Sequence, residues 1–173
     1  MARQPQGFAV KTASTRPVSF SEIRENCTHS GHAVSVFRHP GAKTGQQDEL
    51  EIEHLNDMVQ DLLPIAVHAI ERQPELSPLP LYLVYVDPHQ SLGACVAELT
   101  AFLESHQSEP MVWMPVSGNT SLMLNVLRQA LSAFATQRHG RMNMLYVGDP
   151  ALKATLQNLA TAAGMSFCFH AFY

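Results

Sequence analysis

The spacing of apolar residues changes three times along this chain, and each change predicts a different element. Residues 32–39 have an apolar, β-branched centre (Ala33, Val34, Val36, Phe37) and predict a strand. A turn cluster from Pro40-Gly41 through Gly45 follows. Leu50 and Ile52 then alternate with Glu49, Glu51 and Glu53, a period of two that predicts a second strand with one polar face. Together these segments predict an antiparallel hairpin near the N-terminus. Leu55, Met58, Val59, Leu62, Leu63, Val67 and Ile70 switch to helical spacing, with Pro64 placed to kink or split the helix.

Beyond the connector at 74–80 the pattern becomes regular. Contiguous apolar runs at 81–86, 111–116 and 142–147, and a last one at 165–173, predict strands of the buried kind. Amphipathic stretches at 91–106, 119–137 and 151–163 separate them as helices, the last with Gly164 as its C′ residue. Strands alternating with helices in this way imply a largely parallel βαβαβαβ segment with helices on its faces. The expected fold class is therefore a three-layer α/β domain, with a mixed sheet and an antiparallel hairpin at its N-terminal end.

Ser19-Phe20-Ser21-Glu22 has the form of a capping box and predicts a short helix to about Asn26. Residues 1–18 hold three bases and no acid among many Ser, Thr and Gln. They are expected to form a flexible leader, ahead of one domain at 19–173. An ordinary frayed terminus and a bacterial translocation leader both fit that composition.

Composition narrows the function classes. The 173 residues are 46% hydrophobic and 15% charged, with a net charge of −4, a balance typical of a globular domain. No basic stripe interleaved with aromatics is present, so nucleic acid is not an expected partner; a protein substrate or protein partner is. No apolar run approaches the length of a membrane span, and the first residues lack the apolar core of a secretory signal. Cys27, Cys95 and Cys168 are odd in number and irregular in spacing, which suits free thiols in a reducing, cytoplasmic compartment.

Three strand-to-helix turns fall where open α/β sheets place their sites: residues 87–91, 117–121 and 148–150. Ser117, Asn119, Thr120 and Ser121 would suit an anion at a helix start, and equally suit ordinary helix capping. Neither a Walker-type nor a dinucleotide glycine motif occurs. Cys27, His29, His32 and His39 lie close together but match no familiar zinc spacing, so no metal is expected.

The most informative set is His32, Glu51 and Cys95. A cysteine nucleophile works as its thiolate, which an imidazole and a helix N-terminus favour, and the imidazole needs a carboxylate to orient it. His32 opens one predicted strand, Glu51 lies on the next, and Cys95 falls in the first turn of the helix that Ser91 begins. Cys95 also shares a helical face with Leu92, Val96, Leu99, Phe102 and Leu103, and a cysteine so placed is more often a small core residue than a catalyst.

In order and spacing, His32, Glu51 nineteen positions on and Cys95 forty-four beyond resemble the His–Glu–Cys triad of the YopJ-like effector acyltransferases. These belong to the wider clan of adenain- and SUMO-protease-like cysteine peptidases. The segments at 31–36, 69–72 and 87–95 carry the resemblance, which spans about residues 30–106. It implies a nucleophile at Cys95, a general base at His32, an orienting acid at Glu51, and an oxyanion site made by the Cys95 N–H with His89 or Gln90. It further implies acyl transfer through a thioester, with acetyl-CoA as donor if the product is an acetylated protein, or peptide and isopeptide cleavage. A host protein is the expected substrate if residues 1–18 are a translocation leader. His89 stands where that family has Gln, and Ala94 where it has a polar residue. The four bases Arg128, Arg138, Arg141 and Lys153 are few for the inositol phosphate that family binds. The alternative is a non-catalytic α/β binding or adaptor domain, including a catalytically dead relative.

Overall fold

The structure is a computed structural model that describes residues 27–29, 32–37, 46–134 and 141–172. The capping-box segment at 19–26, the leader at 1–18, the turn at 40–45 and His39 lie outside the described residues.

Among the described residues six strands form one sheet in sequential order: β1 (Cys27–His29), β2 (His32–Phe37), β3 (Leu81–Tyr85), β4 (Met111–Val116), β5 (Met142–Gly148) and β6 (Ser166–Ala171). β2 to β6 are all parallel; β1 runs antiparallel to β2. The described residues also hold four helices: α1 (Gln46–Glu71), α2 (Leu92–His106), α3 (Thr120–Phe134) and α4 (Lys153–Ala162), the last preceded by a 3-10 turn at Pro150–Leu152. The expected α/β class and parallel segment are observed.

The predicted hairpin between residues 32–39 and 49–53 does not form. Residues 49–53 belong to α1, and β2 instead pairs with β1 on one side and β3 on the other. The period of two at Leu50 and Ile52 was too short to outweigh helix chemistry. Gln, Glu and Leu are good helix formers, and Asp48 and Glu49 fall in the first turn of α1, where the positive end of the helix dipole favours acids. Nor does Pro64 split α1, which runs through it as one helix. Pro64 and Gln60, one turn before it, are both exposed, so water can solvate the carbonyl that loses its donor.

Alternating strand residues feed two separate apolar layers. Tyr82, Val84, Val86, Met111, Trp113, Met142, Met144 and Tyr146 point to one face, where α2, α3 and α4 pack. Leu81, Leu83, Tyr85, Val112, Met114, Val116, Leu145 and Val147 point to the other, covered by α1 through Leu55, Val59, Leu63 and Ile70. The layers are thus one helix, the sheet, and three helices. Since β2, β3 and β4 are parallel and adjacent in order, helices on opposite faces mean that the β2–α1–β3 crossover has the opposite hand to β3–α2–β4. The chains leaving β2 and β3 therefore diverge to opposite faces, the arrangement that opens a crevice at the carboxyl edge of an α/β sheet.

Candidate functional site

The carboxyl edge gathers the polar turns, and most of their side chains are engaged in local structure. The Ser91 hydroxyl accepts from the Ala94 N–H at 3.2 Å and caps α2. Asn119 Oδ1 accepts from the Leu122 N–H at 3.0 Å and caps α3, while Asp149 Oδ1 accepts from the Ala151 N–H at 2.8 Å. Ser117 ties two turns together: its hydroxyl donates to the Val86 carbonyl at 2.8 Å and accepts from the Asn119 N–H at 3.1 Å. Capping is thus the role observed for the turns that might have cradled an anion. α1 also reaches this edge: a Cβ on Gly118 would lie 3.2 Å from His54 Nε2, so glycine lets the imidazole pass over the β4–α3 turn.

Asp87, only 7% exposed, lies two residues past β3 and shapes the turn into α2, its Oδ1 accepting from the His89 N–H at 2.8 Å. Cys95 comes next on the α2 stripe. It is 3% exposed and packs with Leu99, Phe102 and Leu103 in the three-helix layer, its thiol donating to the Asp87 carbonyl at 3.5 Å. Burial first, then the nearby charges of Glu98 and Asp87, push the thiol up to about 11. That is the opposite of activation, because two carboxylates and an apolar wall all disfavour the thiolate.

Glu98, one turn beyond Cys95, was not singled out by sequence reasoning. The signal was present: a carboxylate three positions after Cys95 lies beside the apolar stripe rather than opposite it. Burial first and the Asp87 charge second push its carboxyl up to about 7, from an ordinary value of 4.5. The folded protein therefore holds this proton more tightly than the unfolded chain. The associated stability is fully present below about pH 4.5 and is lost as pH rises through 7. Glu98→Gln should accordingly raise stability at pH 8 by about 1–2 kcal/mol, discounting the full shift for partial exposure, and by almost nothing at pH 4.5. Urea unfolding of both proteins at the two pH values checks this.

The three triad positions do not converge in the described backbone. Val34 of β2 is level with Leu81 of β3, so His32 lies at the amino edge of the sheet, whereas Cys95 sits against Asp87 at the carboxyl edge. At about 3.3 Å per residue the two levels are roughly 26 Å apart along the strands. Glu51 belongs to the first turns of α1, which covers the face opposite α2. The backbone groups of the proposed oxyanion segment take part in local structure. The Cys95 N–H donates to the Ser91 carbonyl at 3.1 Å inside α2, and the Gln90 N–H donates to the Asp87 carbonyl at 3.2 Å. His89 is exposed on the turn.

Among the described residues no group of three or more His, Cys, Asp or Glu could hold a metal ion, and no helix is long and apolar enough to cross a membrane. Cys95 and Cys168 are free and buried, with the Gln73 amide donating to the Cys168 sulfur at 2.7 Å. Comparison with known proteins adds no relative: no family model, no curated protein and no solved structure matches this chain.

Proposed function

We propose that this chain works by binding a protein partner rather than by catalysis, as an α/β adaptor domain with the residue order of the YopJ-like acyltransferases but a silent cysteine. One observation carries the reading: the Cys95 thiol is walled in by Leu99, Phe102 and Leu103 and faces two carboxylates that keep it protonated. A nucleophile needs the reverse, a cationic or dipolar neighbour and access for substrate. The free, buried thiols of Cys95 and Cys168 support work in a reducing cytoplasm, the protein's own or a host's.

Incubation of the native protein with acetyl-CoA, followed by peptide mass spectrometry, tests the reading. Cys95 should carry no more acetyl group than Cys168, and His32→Ala should change nothing. Acetyl accumulation on Cys95 that disappears in the His32→Ala variant would restore the acyl-transfer reading, with His32 as base and Glu51 as its orienter.

A further inference from the structure

The joint between β3 and α2 gathers three ionisable groups. Asp87 sets the turn: its Oδ1 accepts from the His89 N–H at 2.8 Å, and its carbonyl accepts from the Gln90 N–H at 3.2 Å. The same carbonyl accepts the Cys95 thiol at 3.5 Å, so the turn and the start of α2 are tied at one peptide group. Glu98, one helical turn beyond Cys95, is half-buried with its Oε1 out of solvent, and its charge and that of Asp87 act on each other.

The start of α2 is also loosely built. Gly93 lies exposed in its first turn, where a Cβ would meet nothing within 4 Å. No close contact asks for glycine there, and its effect is to weaken the first turn relative to alanine. That turn has no acid to meet the helix dipole, and the Ser91 hydroxyl caps it by accepting from the Ala94 N–H. Few other charges face the joint among the described residues. β3 and β4 beneath it carry none, and Arg128, the charged side chain of α3, is exposed. His89 is exposed on the turn, His54 of α1 lies over the neighbouring β4–α3 turn, and Glu104 and His106 sit at the far end of α2.

We propose that this joint is a pH-sensitive hinge, closed while Asp87 and Glu98 carry one negative charge between them, and loosened at the first turns of α2 once both carboxyls are ionised. The direction follows from linkage. Burial and the Asp87 charge hold the Glu98 proton in the closed form, and opening the joint returns the carboxyl to its ordinary value. Opening is therefore favoured as pH rises through 7. Between pH 6 and pH 8 the open form should gain about three- to tenfold in population, the upper figure from the full shift and the lower after a discount for partial exposure. The hinge borders the carboxyl-edge crevice and goes beyond the partner-binding reading, because it holds whatever that edge binds.

Residue-resolved amide hydrogen exchange of the full chain, expressed as protection factors at pH 6 and pH 8 with and without dilute urea, tests the hinge. Protection of the His89, Gln90, Ala94 and Cys95 amides should fall about three- to tenfold at pH 8. The fall should not depend on dilute urea, because a local opening exposes little surface. Glu98→Gln should abolish it. Gly93→Ala should raise protection of the same amides about two- to fivefold at both pH values and leave the fall in place. Equal protection at the two pH values overturns the hinge, and so does a fall that survives in Glu98→Gln. A fall with the same urea dependence as the β4 amides also overturns it, since the opening is then global unfolding. Gly93→Ala without any gain in protection overturns it too, because the first turn is then not the element that opens.

Discussion

Trp113→Ala should cost this domain roughly 3–5 kcal/mol, a large share of what holds any domain of this size together. Trp113 is the largest side chain with no exposure at all, seated in mid-β4 beneath the three-helix layer and against the Phe102 ring at 6.3 Å between centres. Removing the indole leaves a cavity bounded by strands on both sides, where the sheet cannot collapse to fill it. The expected fall in melting temperature is on the order of 10 °C. Trp113→Phe should behave very differently. The indole Nε1 is buried with no hydrogen-bond partner among the described residues, a defect that itself costs about 1–3 kcal/mol. Phenylalanine gives up volume but removes that orphaned donor, so the net cost should stay below about 1.5 kcal/mol. Since Trp113 is the single tryptophan, unfolding has to be followed by circular dichroism, and near-equal losses in the two variants would contradict this packing.

Pro64→Ala should act in the opposite direction, raising stability by about 2 kcal/mol. Proline inside a helix costs about 3 kcal/mol relative to alanine, because it lacks an N–H and crowds the carbonyl four residues earlier. Part of that gain is offset, since alanine leaves the unfolded chain freer by up to about 1 kcal/mol. The site is exposed, so alanine meets no packing obstacle. Its neighbours on the buried face, Leu63, Ala66 and Val67, keep their contacts with the sheet. The increment should appear as a higher urea midpoint with an unchanged slope. No gain, or a loss, would mean that a bend at Pro64 is needed to lay α1 across the strands.

The parts of this fold that local chemistry dictates could be read directly from the sequence. The runs at 81–86, 111–116 and 142–147 are apolar, Asn143 apart, because both faces of a parallel sheet are covered, and they stop at Asp87-Pro88, Ser117-Gly118 and Gly148-Asp149. Ser91 and Asn119 cap the helices they precede, and Gly164 adopts the positive φ of 75° expected just past α4. The stretch at 49–53 was misread because five residues cannot separate a period of two from a helix whose apolar positions continue at Leu55 and Val59. The hand of the first crossover was not legible at all. Whether α1 lies above or below the sheet depends on which strand faces it covers, and β3 and β4 are apolar on both faces.

The candidate site divides along the same line. The helical stripe through Leu92, Cys95, Leu99, Phe102 and Leu103 was visible as a period, and the burial of Cys95 follows from it. The separation of His32 from Cys95 follows from strand register, Val34 against Leu81, and no spacing along the chain encodes that. Glu98 was overlooked because its chemistry comes from a neighbour distant in sequence, Asp87, and from the depth of the helix face.

Cys95 is a buried core thiol. Iodoacetamide alkylation of the native protein against pH, resolved for each cysteine by peptide mass spectrometry, tests it most directly. Cys95 should react slowly at pH 7, gain rate steadily into strongly alkaline solution as its thiol near 11 ionises, and behave identically in the His32→Ala variant. Reaction of Cys95 below pH 7, ahead of Cys27 and Cys168 and lost in that variant, would contradict the account and mark Cys95 as an activated nucleophile.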